Sequence, residues 1–153
     1  MQVAHAIATI RASKLPDWTK IGTCGSFFAN PIISLSQYES LQKEYPNLTW
    51  NTVWSTKIKL SAGQLIELCG LKWYRDGDAG VYDRHALVLV NYGNATGTQI
   101  RNLITMIQSK VQEKFGIDIE LERAISNKVF LKSGGSLNID LNILIDEIYI
   151  SPN

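Results

Sequence analysis

The sequence predicts an α+β fold in which helices pack against a compact, mixed β-sheet. Segments with strand character, such as HALVLVN (85–91), are short and alternate with helical segments. The longest helical segment, at about 97–115, carries apolar residues at helical spacing, whereas no long series of parallel strands is evident. Short strands alternating with helices favour α+β over a long parallel sheet.

Composition narrows the class of protein. The chain has 153 residues, 45% hydrophobic and 19% charged, which suits one folded domain with an appendage. Fifteen basic and fourteen acidic residues give a formal charge of +1 without a basic cluster, which argues against nucleic-acid binding. No apolar run approaches the roughly 18 residues of a membrane span, and no signal-peptide pattern is present, so a cytoplasmic protein without a membrane partner is expected.

The first half of the chain predicts two helices around a glycine-containing turn. Residues 2–13 have the spacing of an amphipathic helix, which Pro16 ends. The stretch GTCGSFFANP (22–31) is expected to turn and to lead into a short strand at 32–33. Ser34 and Gln37 form a possible capping box for a helix that stops before Pro46.

The second half contains alternating strands and helices. Residues 48–56 predict a loop or irregular strand, 57–60 a short strand, and Ser61 with Gln64 a second capping box, before a helix ended by Gly70. The stretch 75–80 (RDGDAG) predicts a turn and 85–91 a buried strand. YGNATG (92–97) predicts a capping turn before the long helix, Gly116 ends that helix, and 117–122 predicts a last core strand.

Two segments resemble one family closely. These are KLPDWTKIGTCGSFFANP (14–31) and KLSAGQLIELCGLKWYRDGDAGVYDRHALVLVN (59–91). Together they resemble the C-terminal, substrate-binding domain of UDP-N-acetylenolpyruvoylglucosamine reductase (MurB), a flavoenzyme of bacterial peptidoglycan biosynthesis. The resemblance runs from about residue 3 to about residue 122. It predicts a substrate-binding domain over 1–124 and a divergent extension over 125–153.

The resemblance gives Ser26 a catalytic role. In this family, reduced FAD passes a hydride to the enol ether of UDP-N-acetylglucosamine enolpyruvate, a serine protonates the neighbouring carbon, and NADPH reduces the flavin again. Ser26 matches that serine. A hydroxyl is a weak acid, so it can protonate only a strongly basic intermediate against which it is held. The alternative is a turn serine that bonds to its own backbone.

Glu122 matches the family's catalytic glutamate, which assists protonation. The family pattern there is Leu-Glu-Pro-Glu, whereas this chain has Ile119-Glu120-Leu121-Glu122. Without the proline the alignment is open by one or two residues. A glutamate on a solvated strand edge is the alternative.

Four polar residues match positions that contact the substrate in the family. Lys14 and Asn30 match positions near the diphosphate, where an ammonium and an amide can donate to phosphate oxygens. Lys72 and His85 match two further positions that line the site. Taken alone, Lys14 favours a helix-end lysine, an interpretation that its spacing to Ser26 reverses. For His85, a structural histidine is the alternative. Cys24, two residues before Ser26, is expected to be a small buried thiol.

The chain departs from the family pattern in four ways. No segment resembles the FAD-binding half of the family, which also carries a catalytic arginine. The chain alone is therefore expected to bind neither FAD nor NADPH. It is expected to be inactive without a separate FAD-binding domain. Asn51, flanked by Trp50 and Trp54, stands where many members have a tyrosine that closes over the substrate. Gln64 replaces an aromatic residue. Past residue 122 the resemblance fades, and 125–153 could be an edge hairpin, a shifted reading frame or a fusion scar.

Three functions remain open from the sequence. The chain could be the substrate domain of the reductase, a binding module for UDP-sugars without redox chemistry, or an inactive remnant. An upstream reading frame for a flavin domain would favour the first. If no such reading frame exists, binding of nucleotide sugars would favour the binding module. Failure of the chain to fold would favour the inactive remnant.

Overall fold

The computed structural model describes residues 22–122, with side chains from Ser26 onward. The predicted helix over 2–13, Lys14 and the extension over 125–153 lie outside these residues. The described part contains three helices and seven strands, and the α+β class is confirmed. The helices are α1 (Leu35–Glu44), α2 (Ala62–Leu68) and α3 (Gly97–Phe115). The strands are β1 (Gly22–Ser26), β2 (Ile32–Ser34), β3 (Trp50–Trp54), β4 (Lys57–Leu60), β5 (Arg75–Asp76), β6 (Ala79–Val81) and β7 (Val88–Asn91).

The strands of the described region divide into two sheets rather than the single mixed sheet expected from the sequence. The first has the order β1-β7-β6-β5 and the second the order β2-β4-β3. All their pairings are antiparallel. The reason is the short connections: β3–β4 and β5–β6 are hairpins, and antiparallel neighbours need no crossover helix.

The first half of GTCGSFFANP, Gly22–Ser26, is a strand where a turn was expected. β1 pairs with β7, and Thr23 lies opposite Val90 while Ser26 lies opposite Val88. Three steps along β1 therefore match two steps along β7, so β1 carries one extra residue, a β-bulge. Small residues suit a bulge as well as a turn, and only the pairing with a strand some 65 positions away distinguishes them.

Local signals predict the helix ends well. In α1 and α2, the N-cap hydroxyls of Ser34 and Ser61 accept from the backbone N–H three residues later, each at 3.2 Å. At the end of α2, Gly70 has φ 74° and donates to the carbonyl of Glu67, while the N–H of Leu71 reaches the carbonyl of Ile66 at 3.4 Å. This is the Schellman arrangement that the position of Gly70 predicts.

The long helix α3 agrees with its predicted bounds. The Thr96 hydroxyl and the Gln99 side chain form a reciprocal capping box, and Gly116 ends the helix with φ 66°. The apolar stripe of α3 is buried in the main core, where it meets residues from both sheets and from α2. The stripe consists of Ile100, Leu103, Ile104, Ile107, Val111 and Phe115.

Two strand predictions need correction. β7 begins at Val88, because His85 starts a turn in which its carbonyl accepts from the N–H of Val88 at 3.1 Å. The segment 117–122 is extended, but the structure gives it a single bridge, between Leu121 and Phe28. Its backbone pairs with the three residues that follow β1, and Gln108 Nε2 donates to the carbonyl of Ile119 at 2.9 Å. A partner this short does not support a full strand.

The segment 48–56 is more regular than its composition suggests, since 50–54 form β3 in a hairpin with β4. Gln64 does not complete a capping box. Its Oε1 accepts from the N–H of Thr49 at 2.6 Å and its Nε2 donates to the carbonyl of Asn47 at 2.9 Å. The side chain of Gln64 therefore ties the chain entering β3 to helix α2.

Within residues 22–122, no helix combines the length and the apolar character needed to cross a membrane. The same part of the chain holds no group of three or more His, Cys, Asp or Glu residues arranged to bind a metal ion.

Candidate functional site

Ser26 is the last residue of β1, directly after the bulge, and its side chain is exposed. The next two residues, Phe27 and Phe28, are fully buried, with ring centroids 5.6 Å apart in an edge-to-face arrangement. The N–H of Phe27 donates to the carbonyl of Leu87 at 2.9 Å. Because its neighbours are anchored in the core and in the sheet, the hydroxyl of Ser26 is carried by a rigid strand rather than by a free loop.

The structure brings Glu122 to the same strand end. The N–H of Glu122 donates to the carbonyl of Phe27 at 2.8 Å, and the N–H of Ala29 donates to the carbonyl of Glu120 at 2.8 Å. These bonds run 27–29 antiparallel to 120–122 and place Glu122, which is half-buried, beside the residue that follows Ser26. Glu120 is exposed and lies two residues further along the pairing. The backbone register therefore favours Glu122 over Glu120 as the neighbour of Ser26.

Asn30 connects this strand to helix α2. Its side-chain oxygen Oδ1 accepts from the N–H of Ala62 at 2.9 Å. Ala62 is fully buried and is the first residue of α2, so Asn30 satisfies one of the backbone donors that a helix start leaves without an intrahelical partner. The amide nitrogen Nδ2 is a donor, and no hydrogen bond from it to another described residue is seen.

A cleft of about 290 Å³ lies beside the start of α2 and is defined here as the cation cleft. Three basic side chains line it: Lys72, Arg84 and His85. The only carboxylate in its lining is that of Glu67, whose Oε1 is 3.4 Å from Nζ of Lys72. Thr49, Ser61 and Gln64 add polar groups. More cationic than anionic groups around a small concave surface suit an anion such as a phosphate or diphosphate.

One ring nitrogen of His85 accepts a hydrogen bond within a local turn. Its Nδ1 accepts from the N–H of Leu87 at 3.2 Å, and the same residue's carbonyl accepts from Val88. Nδ1 is therefore unprotonated in this arrangement, and in the neutral ring the proton lies on Nε2. Both the structural and the site-lining interpretations of His85 are consistent with this geometry, since one nitrogen holds the turn and the residue also lines the cleft.

A larger cavity of about 470 Å³ is lined by Asn30 and its neighbours Ala29 and Pro31, but its chemistry is less suitable for an anion. Its charged lining side chains are the carboxylates of Asp118 and Glu120. These would repel phosphate groups, so size alone does not identify the site, and the cation cleft is the better candidate.

The structure thus groups five of the six site residues predicted from the sequence. Asn30 reaches the start of α2, Lys72 and His85 line the adjacent cleft, and Ser26 and Glu122 lie at the neighbouring strand end. The sixth, Lys14, lies outside the described residues.

Sequence reasoning missed Arg84, although it directly precedes His85. It also missed the Gln64 anchor of the β3 hairpin, because that contact joins residues 15 to 17 positions apart.

Trp50 and Trp54, which flank the position of the family's closing tyrosine, lie on β3. The ring of Trp50 packs on Tyr38 at 5.3 Å between centroids, whereas Trp54 is 69% exposed. Trp50 is still 45% exposed, so both rings are accessible and Trp54 presents the larger surface.

Cys69 follows helix α2 as a half-buried free thiol. Burial raises the pKa of this thiol, and the nearby Lys114 and Lys110 oppose the rise. The thiolate is therefore less populated near neutral pH than it is for a free cysteine, and a nucleophilic role is disfavoured.

Comparison with known proteins agrees with this geometry. The model of the family described as UDP-N-acetylenolpyruvoylglucosamine reductase, C-terminal domain, matches residues 16–126. Proteins named UDP-N-acetylenolpyruvoylglucosamine reductase are 50% identical over 125 residues in Chromobacterium violaceum and 50% identical over 120 residues in Flavobacterium johnsoniae. One from Pseudomonas savastanoi pv. phaseolicola is 48% identical over 120 residues.

The matches cover 82%, 78% and 78% of this chain but 37%, 36% and 35% of the respective relatives. The chain therefore spans about a third of the length of the curated relatives that it matches. The residues that the family model matches include Ser26, the start of α2 and the cation cleft. The chain belongs to the family of UDP-N-acetylenolpyruvoylglucosamine reductase C-terminal domains.

Proposed function

We propose that this chain forms the substrate-binding part of a UDP-N-acetylenolpyruvoylglucosamine reductase, and that Ser26 donates the proton that completes reduction of the enolpyruvyl group to give UDP-N-acetylmuramate. The observation that carries the proposal is the backbone bond from Phe27, the residue after the exposed Ser26, to Leu87, which follows the cleft-lining residues His85 and Ala86. A diphosphate in the cleft would hold the sugar, and with it the enolpyruvyl group, near Ser26. The family membership supports the same substrate.

Each of these residues contributes a different chemical group to the proposed reaction. Lys72 supplies positive charge to the diphosphate, and the Asn30 amide donates a hydrogen bond to it. Ser26 provides the O–H, and its fixed position compensates for its weak acidity because a well-oriented group reacts far faster than a free one. Glu122 is the neighbouring carboxylate that assists the transfer. Oriented general acids of this kind contribute about 10²–10⁴ in rate.

Residues 22–122 do not fit a flavin in a comparable way. The glycine-containing turn before α3 uses its polar groups internally, since Asn91 Oδ1 accepts from the N–H groups of Gly93 and Ala95 and Asp78 Oδ2 accepts from Asn94. No backbone nest is left there for the phosphates of a dinucleotide. We propose that FAD, which supplies the hydride, and NADPH, which reduces it, are bound by another part of the reductase.

The first test of this function is a calorimetric titration with UDP-N-acetylglucosamine enolpyruvate. Lys72→Ala is expected to weaken binding by about tenfold, since an ion pair or charged hydrogen bond to a phosphate is lost. Lys43→Ala is the matched control, because Lys43 lies in the last turn of α1 and does not line the cleft. An equal effect of the two substitutions, or no saturable binding by the folded chain, would count against the proposal.

Asn30 allows folding and binding to be separated. Asn30→Ala removes the acceptor for the buried N–H of Ala62 and is expected to lower the free energy of unfolding by about 1–3 kcal/mol. Asn30→Asp keeps an acceptor at that place but removes the amide donor and adds a negative charge. It should unfold at nearly the wild-type urea concentration while binding the substrate about tenfold or more weakly. Wild-type affinity in Asn30→Asp would remove this residue from the site.

A further inference from the structure

A path of hydrogen bonds leads from the cation cleft to the strand end that carries Ser26. It starts at His85, whose Nδ1 accepts from the N–H of Leu87 at 3.2 Å. The carbonyl of the same Leu87 accepts from the N–H of Phe27 at 2.9 Å, and Phe27 directly follows Ser26. The backbone of Leu87 therefore joins a side chain that lines the cleft to the segment that holds the hydroxyl.

His85 also holds the residue that pairs with Ser26. Val88 lies opposite Ser26 in the pairing of β1 with β7, and its N–H donates to the carbonyl of His85 at 3.1 Å. The ring and the carbonyl of His85 thus bind two consecutive N–H groups, those of Leu87 and Val88. Because the bulge interrupts the regular ladder just before Ser26, the position of this strand end depends on the turn at 85–88.

Closure of the turn does not by itself require a histidine. Asparagine and aspartate side chains accept from the N–H two residues on, so either could make the same bond. Histidine differs because protonation of Nδ1 converts this acceptor into a donor. It is also the side chain whose unperturbed protonation, at about pH 6.5, lies nearest to neutrality. The bond to Leu87 therefore exists only while Nδ1 of His85 is unprotonated.

The ring of His85 lies among other charged groups. Those that line the cleft with it are Lys72, Arg84 and Glu67. On the side of the strand, Phe27 and Phe28 are buried and uncharged, and Glu122 joins Phe27 through its backbone. A positive charge on the ring would therefore add to two cations in the cleft and face one carboxylate there, and it would also break the bond to Leu87.

We propose that His85 is a positioning residue for the proton transfer: through Leu87, its neutral ring fixes the strand end that holds the Ser26 hydroxyl. This inference rests on the proposed function, in which Ser26 donates the proton, and adds the group that keeps the hydroxyl in place. In this role His85 acts without touching the reacting atoms. The effect on rate is large because a misplacement of about 1 Å can cost about 10²-fold.

The test measures reoxidation of the flavin by UDP-N-acetylglucosamine enolpyruvate, in a complete reductase reconstituted with this chain as its C-terminal part. His85→Ala is expected to slow this step by roughly 10- to 100-fold at saturating substrate, with a smaller effect on substrate affinity and on flavin reduction by NADPH. His85→Asn should recover most of the rate, because its Oδ1 can accept from the N–H of Leu87.

The pH profile of the same step separates positioning from a merely structural role. The neutral ring is the form that holds Leu87, so the wild type should lose rate as the pH falls from about 7 to about 5, where histidine protonates. His85→Asn keeps the bond without titrating and should lose less rate over this range. Parallel profiles of the two proteins would overturn the proposal, and this comparison does not depend on whether His85→Ala folds.

A double-mutant cycle shows whether His85 acts through Ser26. If it does, His85→Ala should cost little further rate in a Ser26→Ala background. Equal slowing by His85→Ala in both backgrounds would make His85 a general structural residue and would overturn the proposal. Weaker substrate binding without a slower step would make it a ligand-binding residue, with the same consequence.

Failure of this inference is distinguishable from failure of the proposed function. If Ser26→Ala slows reoxidation selectively and His85→Ala does not, the positioning role is wrong and the proposed function stands. If Ser26→Ala slows both half-reactions equally, or neither, the proposed role of Ser26 fails and the positioning role of His85 fails with it.

Discussion

Ser26→Ala, in a complete reductase reconstituted with this chain as its C-terminal part, is expected to slow the oxidative half-reaction by about 10²–10⁴. Reduction of the flavin by NADPH should be nearly unchanged, because the missing hydroxyl takes no part in it. The reason for the large effect is positional, because the bulge in β1 and the buried residues after it hold the hydroxyl at one place.

Stopped-flow absorbance of the flavin separates the two half-reactions. Ser26→Cys is a useful companion, since a thiol keeps a transferable proton at the same position and should recover part of the rate. Ser36→Ala, an exposed serine on α1, controls for the loss of a hydroxyl elsewhere. Equal slowing of both half-reactions by Ser26→Ala would contradict the assignment of this residue as the proton donor.

Phe27→Ala is expected to have the largest effect on stability, about 3–5 kcal/mol in the free energy of unfolding. Phe27 is completely buried, packs edge-to-face on Phe28, and uses both its backbone groups to join Leu87 and Glu122. Its loss would leave a cavity beneath the strand that carries Ser26. The total free energy of unfolding of a small domain is about 5–15 kcal/mol. The variant should therefore unfold at a much lower urea concentration.

The matched control is Trp54→Ala, which removes an aromatic side chain that is 69% exposed and should change stability by no more than about 0.5 kcal/mol. Equilibrium urea unfolding measures the change in the free energy of unfolding for both variants. A loss below about 1 kcal/mol in Phe27→Ala would mean that the core around β1 repacks, and that the position of Ser26 is less constrained than its backbone contacts indicate.

The helices could be predicted from the sequence because their signals are local. Ser34, Ser61, Thr96, Gly70 and Gly116 each act within a few positions along the chain, where hydrogen-bond geometry depends on residue type. The sheet could be predicted less well, because its pairings join residues far apart in sequence. The glycines before Ser26 suggest a turn until β7 is known to lie beside them, and 117–122 has the alternation of a strand without a long enough partner.

The same difference between local signals and long-range contacts applies to the candidate site. Ser26, Asn30, Lys72, His85 and Glu122 were proposed from their resemblance to a family, and residue type alone gave each a plausible structural role. The structure places Lys72 and His85 in one cleft and pairs the residue after Ser26 with Glu122, which no spacing along the chain could predict.

Asn30 has a consequence for the entropy of ligand binding. Its Oδ1 is already bonded to the N–H of Ala62, so the plane of the amide is set before any ligand arrives. Immobilising a free side chain at an interface costs about 0.5–1.5 kcal/mol, and here folding has already removed that freedom. Under the proposed function, a phosphate oxygen that met Nδ2 would gain the bond without ordering the donor, so the contact at the start of helix α2 would pre-organise Asn30 for its ligand.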